Sequence, residues 1–153
     1  MNIRITVDDA ALKRALKDPQ LIAGPLKDFL AQSALTVEGQ AKQLAPVDTG
    51  RLRASITSVL QPTQARVQAS VFYAPHVEFG TRPHWPPLAA MQPWAGRHGF
   101  PKGRLGAFLV ARAIARRGTR PHPFMRPSAE RSLPAIRGFL RDMALAIERR
   151  WKR

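Results

Sequence analysis

Ile3, Ile5 and Val7 alternate with Arg4 and Thr6, the two-residue period of a strand with one covered face. Asp8 and Asp9 follow as capping residues for a short helix carrying Leu12, Ala15 and Leu16. From Pro19 the period lengthens. Leu26, Phe29, Leu30, Leu35, Val37, Ala41 and Leu44 recur at intervals near three and four, which predicts a long helix that accommodates Pro25 near its start and stops before Pro46. Period two then returns. Ile56, Ser58 and Leu60 alternate with Thr57 and Val59, and after "QPTQ" the residues Val67, Ala69 and Val71 oppose Arg66, Gln68 and Ser70. This predicts a hairpin with one covered face, for which the long helix is the natural cover.

Between Phe79 and Lys102 proline and glycine break the pattern, leaving at most a helical turn around Leu88–Trp94. "GRLGAFLVARAIARRG" reads as a helix with Leu105, Phe108, Leu109 and Ile114 on one broad apolar side and Gly118 as its end. Leu133, Ile136, Leu140, Met143, Ile147 and Trp151 form an amphipathic stripe on a last helix, whose regular part is expected to start near Ser132 because of Pro134. The expected architecture is α+β: an antiparallel hairpin or small sheet packed by the long helix of the N-terminal half and by the C-terminal amphipathic helix. At 153 residues one domain is expected, its core about 1–80 and 120–153, with 81–119 an inserted loop plus helix. The chain is read as free of internal repeats and low-complexity segments.

Composition changes this picture in one respect. Lysine and arginine number 25 against 10 acids, a net charge of +15, which points to a polyanionic neighbour: nucleic acid, an anionic membrane or an acidic protein surface. With no cysteine, disulfides and thiolate zinc sites are excluded. The first residues lack the basic start and unbroken apolar run of a signal peptide, and no apolar window is long enough to span a membrane. Basic residues concentrate over Arg97–Arg120, with Arg116, Arg117 and Arg120, and again over Arg137–Arg153, where Arg149, Arg150, Lys152 and Arg153 around Trp151 suit phosphates or an acidic partner.

No enzyme signature emerges. "APVDTGRLRASI" reads as a corner in which Pro46 ends the helix, the Asp48 carboxylate accepts from following amides and Gly50 permits a tight turn. It lacks the glycines and the lysine–hydroxyl pair of a phosphate loop. His76, Glu78 and His84 raise a metal or acid–base site, but there is no H-E-x-x-H and no second carboxylate nearby in sequence. A structural ion pair of Glu78 with Arg51 or Arg53 is the better expectation. No serine sits in a nucleophile elbow. No cofactor is expected.

Three phrases together, "APVDTGRLRASI" (45–56), "YAPHVEFGTRPH" (73–84) and "RPHPFMRPSAERSLPAI" (120–136), resemble in order and spacing a tailed-phage tail-component family. That tail-completion (neck) family is typified by gene product ten of a lambdoid siphophage and includes minor tail protein Z of phage lambda. The resemblance covers roughly Ala34 to the C-terminus. It rests on Asp48, Thr49, Gly50, Tyr73, Ala74, Glu78, Phe79, Gly80, Thr81, Pro123, Phe124 and Pro127, with Arg51 and Arg53 beside the first corner; residues 84–118 resemble the extended members. What the resemblance implies is a non-enzymatic α+β virion protein of the head–tail neck or tail top, assembled in the bacterial host cytoplasm and working in a symmetric ring. Six copies are the first expectation and twelve the alternative. The implied partners are head-closure, tail-terminator or tail-tube proteins and, through non-specific contact, packaged DNA, with no membrane. The alternatives are a non-specific nucleic-acid-binding protein and, behind it, a metal-dependent nuclease using His76 and Glu78.

Overall fold

The computed structural model describes residues 1–6 and 19–151. Val7, the Asp8–Asp9 cap, the expected helix around Leu12–Leu16, Lys152 and Arg153 lie outside the described residues. The chain divides into two compact units, one of Met1–Ala74 with Pro123–Arg153 and one of Pro75–His122.

The first unit holds β1 (Asn2–Thr6), α1 (Pro19–Leu44), α2 (Arg51–Ala54), β2 (Ile56–Gln61) and β3 (Gln64–Ala69). A final helix runs Met125–Trp151. β2 and β3 form the expected hairpin, closed by Pro62 and Thr63 with Gln61 opposite Gln64. β1 adds to the other side of β3, giving an antiparallel sheet of order β1-β3-β2. Together with the long helices this is the α+β architecture that the periodicities imply.

Along β3 the residues Ala65, Val67 and Ala69 are buried and Arg66 and Gln68 are only half-covered, because alternate side chains leave a strand on opposite faces. α1 covers the inner face with Phe29, Leu30, Ala34, Val37 and Ala41, and Ile56 and Val67 are fully enclosed. Burial of each such aliphatic side chain stabilises the fold by about 1.5–3 kcal/mol. Leu35, expected on this apolar face, is 62% exposed, since the packed face runs through Ser33, Ala34, Val37 and Ala41 instead.

The final helix begins at Met125, a turn or more before the expected start near Ser132. Pro127 falls in its first turn, where a missing N–H leaves nothing unpaired, so it does not delay the start. Pro134 is then carried inside the helix. Ser132 lies inside the helix: it is buried and its hydroxyl donates to Ser128 O at 2.7 Å, while the Ser128 hydroxyl donates to Met125 O at 2.6 Å. The expected stripe is corrected as well. Met143 is buried and Ile136 and Ile147 are half-buried, but Leu133 and Leu140 are exposed; the covered face runs through Ser128 and Ser132, whose small, internally bonded side chains allow α1 to pack alongside.

The second unit contains α3 (most of Ala74–Phe79), α4 (Leu88–Arg97), α5 (Arg104–Arg117) and the connecting loops. The final helix, Met125–Trp151, is therefore α6 in chain order. α4 extends beyond the expected turn and packs on α5. The expected apolar side of α5 is inverted. Gly106, Ala107, Val110 and Ala111 are buried, whereas Leu105, Phe108 and Leu109 are exposed. At the start of this face the backbone approach is close: a Cβ at Gly106 would lie 1.9 Å from Pro101 O, so that position admits only glycine. Outside it, Trp85 meets Phe108 edge-on at 5.7 Å, and Trp94 stacks on His98 at 4.0 Å.

Candidate functional site

The candidate residues divide between the two units. In the first, α1 stops at Leu44 ahead of Pro46, because a residue before proline is excluded from the helical region. Asp48 and Thr49 are exposed in the bend that follows, and Gly50 turns the chain at φ 79° into α2. Leu52 anchors that turn in the core while Arg51 and Arg53 point to solvent. The corner thus fixes two exposed guanidinium groups beside a buried leucine. Further on, Tyr73 meets the exposed ring of Phe72 edge-on at 5.4 Å. Pro123 is exposed, and Phe124, with no exposed surface, plugs the core immediately before α6.

In the second unit Glu78 is buried at 2% exposure and its neighbour Phe79 is 69% exposed. Gly80 follows at φ 70°, and Thr81 then pairs with Thr119 in an isolated antiparallel bridge. The Thr81 N–H donates to Thr119 O and the Thr119 N–H to Thr81 O, each at 3.2 Å, and the two hydroxyls lie 3.0 Å apart. Gly118 mirrors Gly80 at φ 69°. Neither glycine has room for a Cβ: at Gly80 it would lie 2.4 Å from Thr119 O, and at Gly118 1.9 Å from Thr81 O.

This clasp escapes a reading by periodicity, and the reading of a repeat-free chain is corrected by it. Gly80–His84 and Gly118–His122 are the same five residues, Gly-Thr-Arg-Pro-His, and their threonines pair with one another. The identical pentapeptide is the signal that could have found the pairing. Gly118 ends α5, as expected, but it also closes the unit.

Of the basic candidates, Arg116, Arg117 and Arg120 are exposed in the second unit, and Arg149 and Arg150 are exposed in the first. The Arg150 guanidinium lies over Gly24 of α1, where an added Cβ would meet its Nη1 at 3.0 Å. All four histidines belong to the second unit and are exposed; His84 Nδ1 lies 2.9 Å from Arg82 O and His98 Nδ1 lies 2.9 Å from Trp94 O. Among the described residues no three His, Cys, Asp or Glu side chains come together as a metal-binding group. No helix of the described residues is long and apolar enough to cross a membrane. Comparison with protein-family models, curated proteins and solved structures finds no match to this chain.

Proposed function

We propose that this chain is a structural subunit of the head–tail junction of a tailed phage particle, a tail-completion or neck protein that works in a symmetric ring. The observation that carries the reading is the position of the resembling residues. Asp48, Thr49 and Gly50 sit at one chain reversal, Glu78 to Thr81 at a second, and Pro123 and Phe124 at the entry to α6, each pairing a buried anchor or positive-φ glycine with exposed side chains. Residues used this way hold surfaces at fixed angles, which is what a subunit meeting copies of itself around an axis requires. Six copies fit the symmetry of a tail, and twelve would fit a portal. In this reading the ring meets head-closure, tail-terminator or tail-tube proteins, carries no cofactor and catalyses nothing. The +15 charge attracts packaged DNA without reading its sequence.

Deleting the gene from the producing genome and imaging the lysate tests this. Free DNA-filled heads and free tails in place of joined particles are the expected result, and normally joined particles would sink the proposal. A second reading, a nucleic-acid-binding protein acting outside assembly, is favoured by the charge of residues 75–122, whose only acid is the buried Glu78. Joined particles together with tight, salt-sensitive DNA binding by the isolated chain would select it.

A further inference from the structure

The duplicated pentapeptide places two exposed arginines directly after the bridged threonines. Arg82 follows Thr81, and Arg120 follows Thr119. Each precedes a proline, Pro83 or Pro121, which holds it in extended backbone. Because the Thr81 and Thr119 hydroxyls share one face of the bridge, the following residues take the other face by strand alternation. There each arginine stands across from a glycine, Arg82 from Gly118 and Arg120 from Gly80, so no side chain separates them. Diagonal neighbours of this kind are about 7–8 Å apart at the backbone, within the convergent reach of two arginines.

Both arginines are exposed and form no ion pair among the described residues. The only acid of this unit, Glu78, is buried. Two exposed arginines on neighbouring segments without a counter-charge can bring two guanidinium forks to one tetrahedral oxyanion, because each fork binds two oxygens in a plane. We propose that Gly80–His84 and Gly118–His122 together form a phosphate-binding site, in which Arg82 and Arg120 grip one phosphate group. The phosphate is that of a nucleic-acid backbone or a free phosphate ion. The site stands independently of the neck reading.

The test titrates a labelled random-sequence DNA duplex with the full chain over a salt series. It compares the parent, Arg82→Gln/Arg120→Gln, and the equal-charge control Arg137→Gln/Arg141→Gln on exposed positions of α6. The Arg82→Gln/Arg120→Gln variant is expected to flatten the slope of log affinity against log salt by about one unit, the share of the single phosphate it releases, and the control by clearly less. A second arm adds inorganic phosphate to the isotope-labelled chain and follows the Thr81 and Thr119 amide resonances. Shifts in the parent that vanish in the variant assign the site to free phosphate as well, while a DNA effect without them assigns it to the backbone. Equal losses in the two variants, or no response to either probe in the parent, would overturn the site. Unchanged melting temperatures establish that each variant is folded. Unjoined heads and tails after gene deletion, with no phosphate effect, would remove this inference and leave the neck reading intact.

Discussion

Thr81 and Thr119, 38 residues apart, exchange backbone hydrogen bonds of 3.2 Å each and bring their hydroxyls to 3.0 Å. That one pair ties the start of the second unit to its end, and it forms only because the residue before each threonine has no side chain.

Alanine at Gly118 or Gly80 should therefore open the clasp. Left-handed backbone costs a non-glycine residue about 1–2 kcal/mol, and a clash with a carbonyl adds to it, so a loss of about 2–4 kcal/mol is expected. Gly99 provides the control: it also has positive φ, 77°, but nothing lies within 4 Å of a Cβ there. Gly99→Ala should lose only the backbone part, about 1–2 kcal/mol. Thermal unfolding and exchange of the Thr81 amide measure both, and equal losses at all three positions would refute the steric account.

Glu38 ties α1 to β2. Burial opposes its charge, but hydrogen bonds from Lys42, at 2.6 Å, and from the Ser58 hydroxyl and N–H outweigh that, holding the carboxyl below its ordinary 4.5. With the folded value the lower one, the unfolded chain takes up the proton first as pH falls. The stabilisation is present above the ordinary value and lost as pH drops through the folded one. Glu38→Gln should be less stable than the parent at neutral pH, with the gap closing in acid as pH falls below the ordinary 4.5. Urea midpoints at the two pH values check this; a gap independent of pH would count against it.

Ser33 lies in α1 with no exposed surface, and its hydroxyl has no hydrogen-bond partner among the described residues. Removing a buried, unmatched hydroxyl relieves its desolvation. Ser33→Ala should stabilise the chain by about 1 kcal/mol, raising Tm by about 2–4 °C. A lower Tm would show that the hydroxyl is bonded.

Ile56 and Leu35 are both large aliphatic residues in periodic runs, and the structure treats them oppositely. Ile56 has no exposed surface and Leu35 is 62% exposed. Ile56→Ala should cost about 2–5 kcal/mol by removing packed atoms and leaving a cavity, whereas Leu35→Ala should stay within about 0.5 kcal/mol. Comparable losses would place Leu35 in a covered surface.

The hairpin and α1 were legible because period two and period near 3.6 are local consequences of backbone geometry, and because Pro46 and Gly50 mark their boundary chemically. α5 was legible as a helix but not in its orientation. Leu105, Phe108 and Leu109 are the larger apolar residues, yet Gly106, Ala107, Val110 and Ala111 face inward, and at Gly106 the approach of the Pro101 backbone leaves no room for a side chain. The start of α6 is not legible from Pro134, because a helix already begun at Met125 carries that proline in its interior. Of the candidate site residues, Gly50 could be read as a turn from glycine's freedom at positive φ, but the partner of Thr81 could not be read from local pattern.

By itself the sequence determined the α+β class, the hairpin and its closing turn, the end of α1 and the surplus of positive charge, all of which follow from neighbouring residues or from a sum over the chain. Tertiary structure alone decided that β1 pairs with β3, that α5 buries its small face and that the two Gly-Thr-Arg-Pro-His copies meet. Those outcomes depend on which backbones come within hydrogen-bonding or van der Waals distance across many residues, and periodicity along the chain carries no information about that distance.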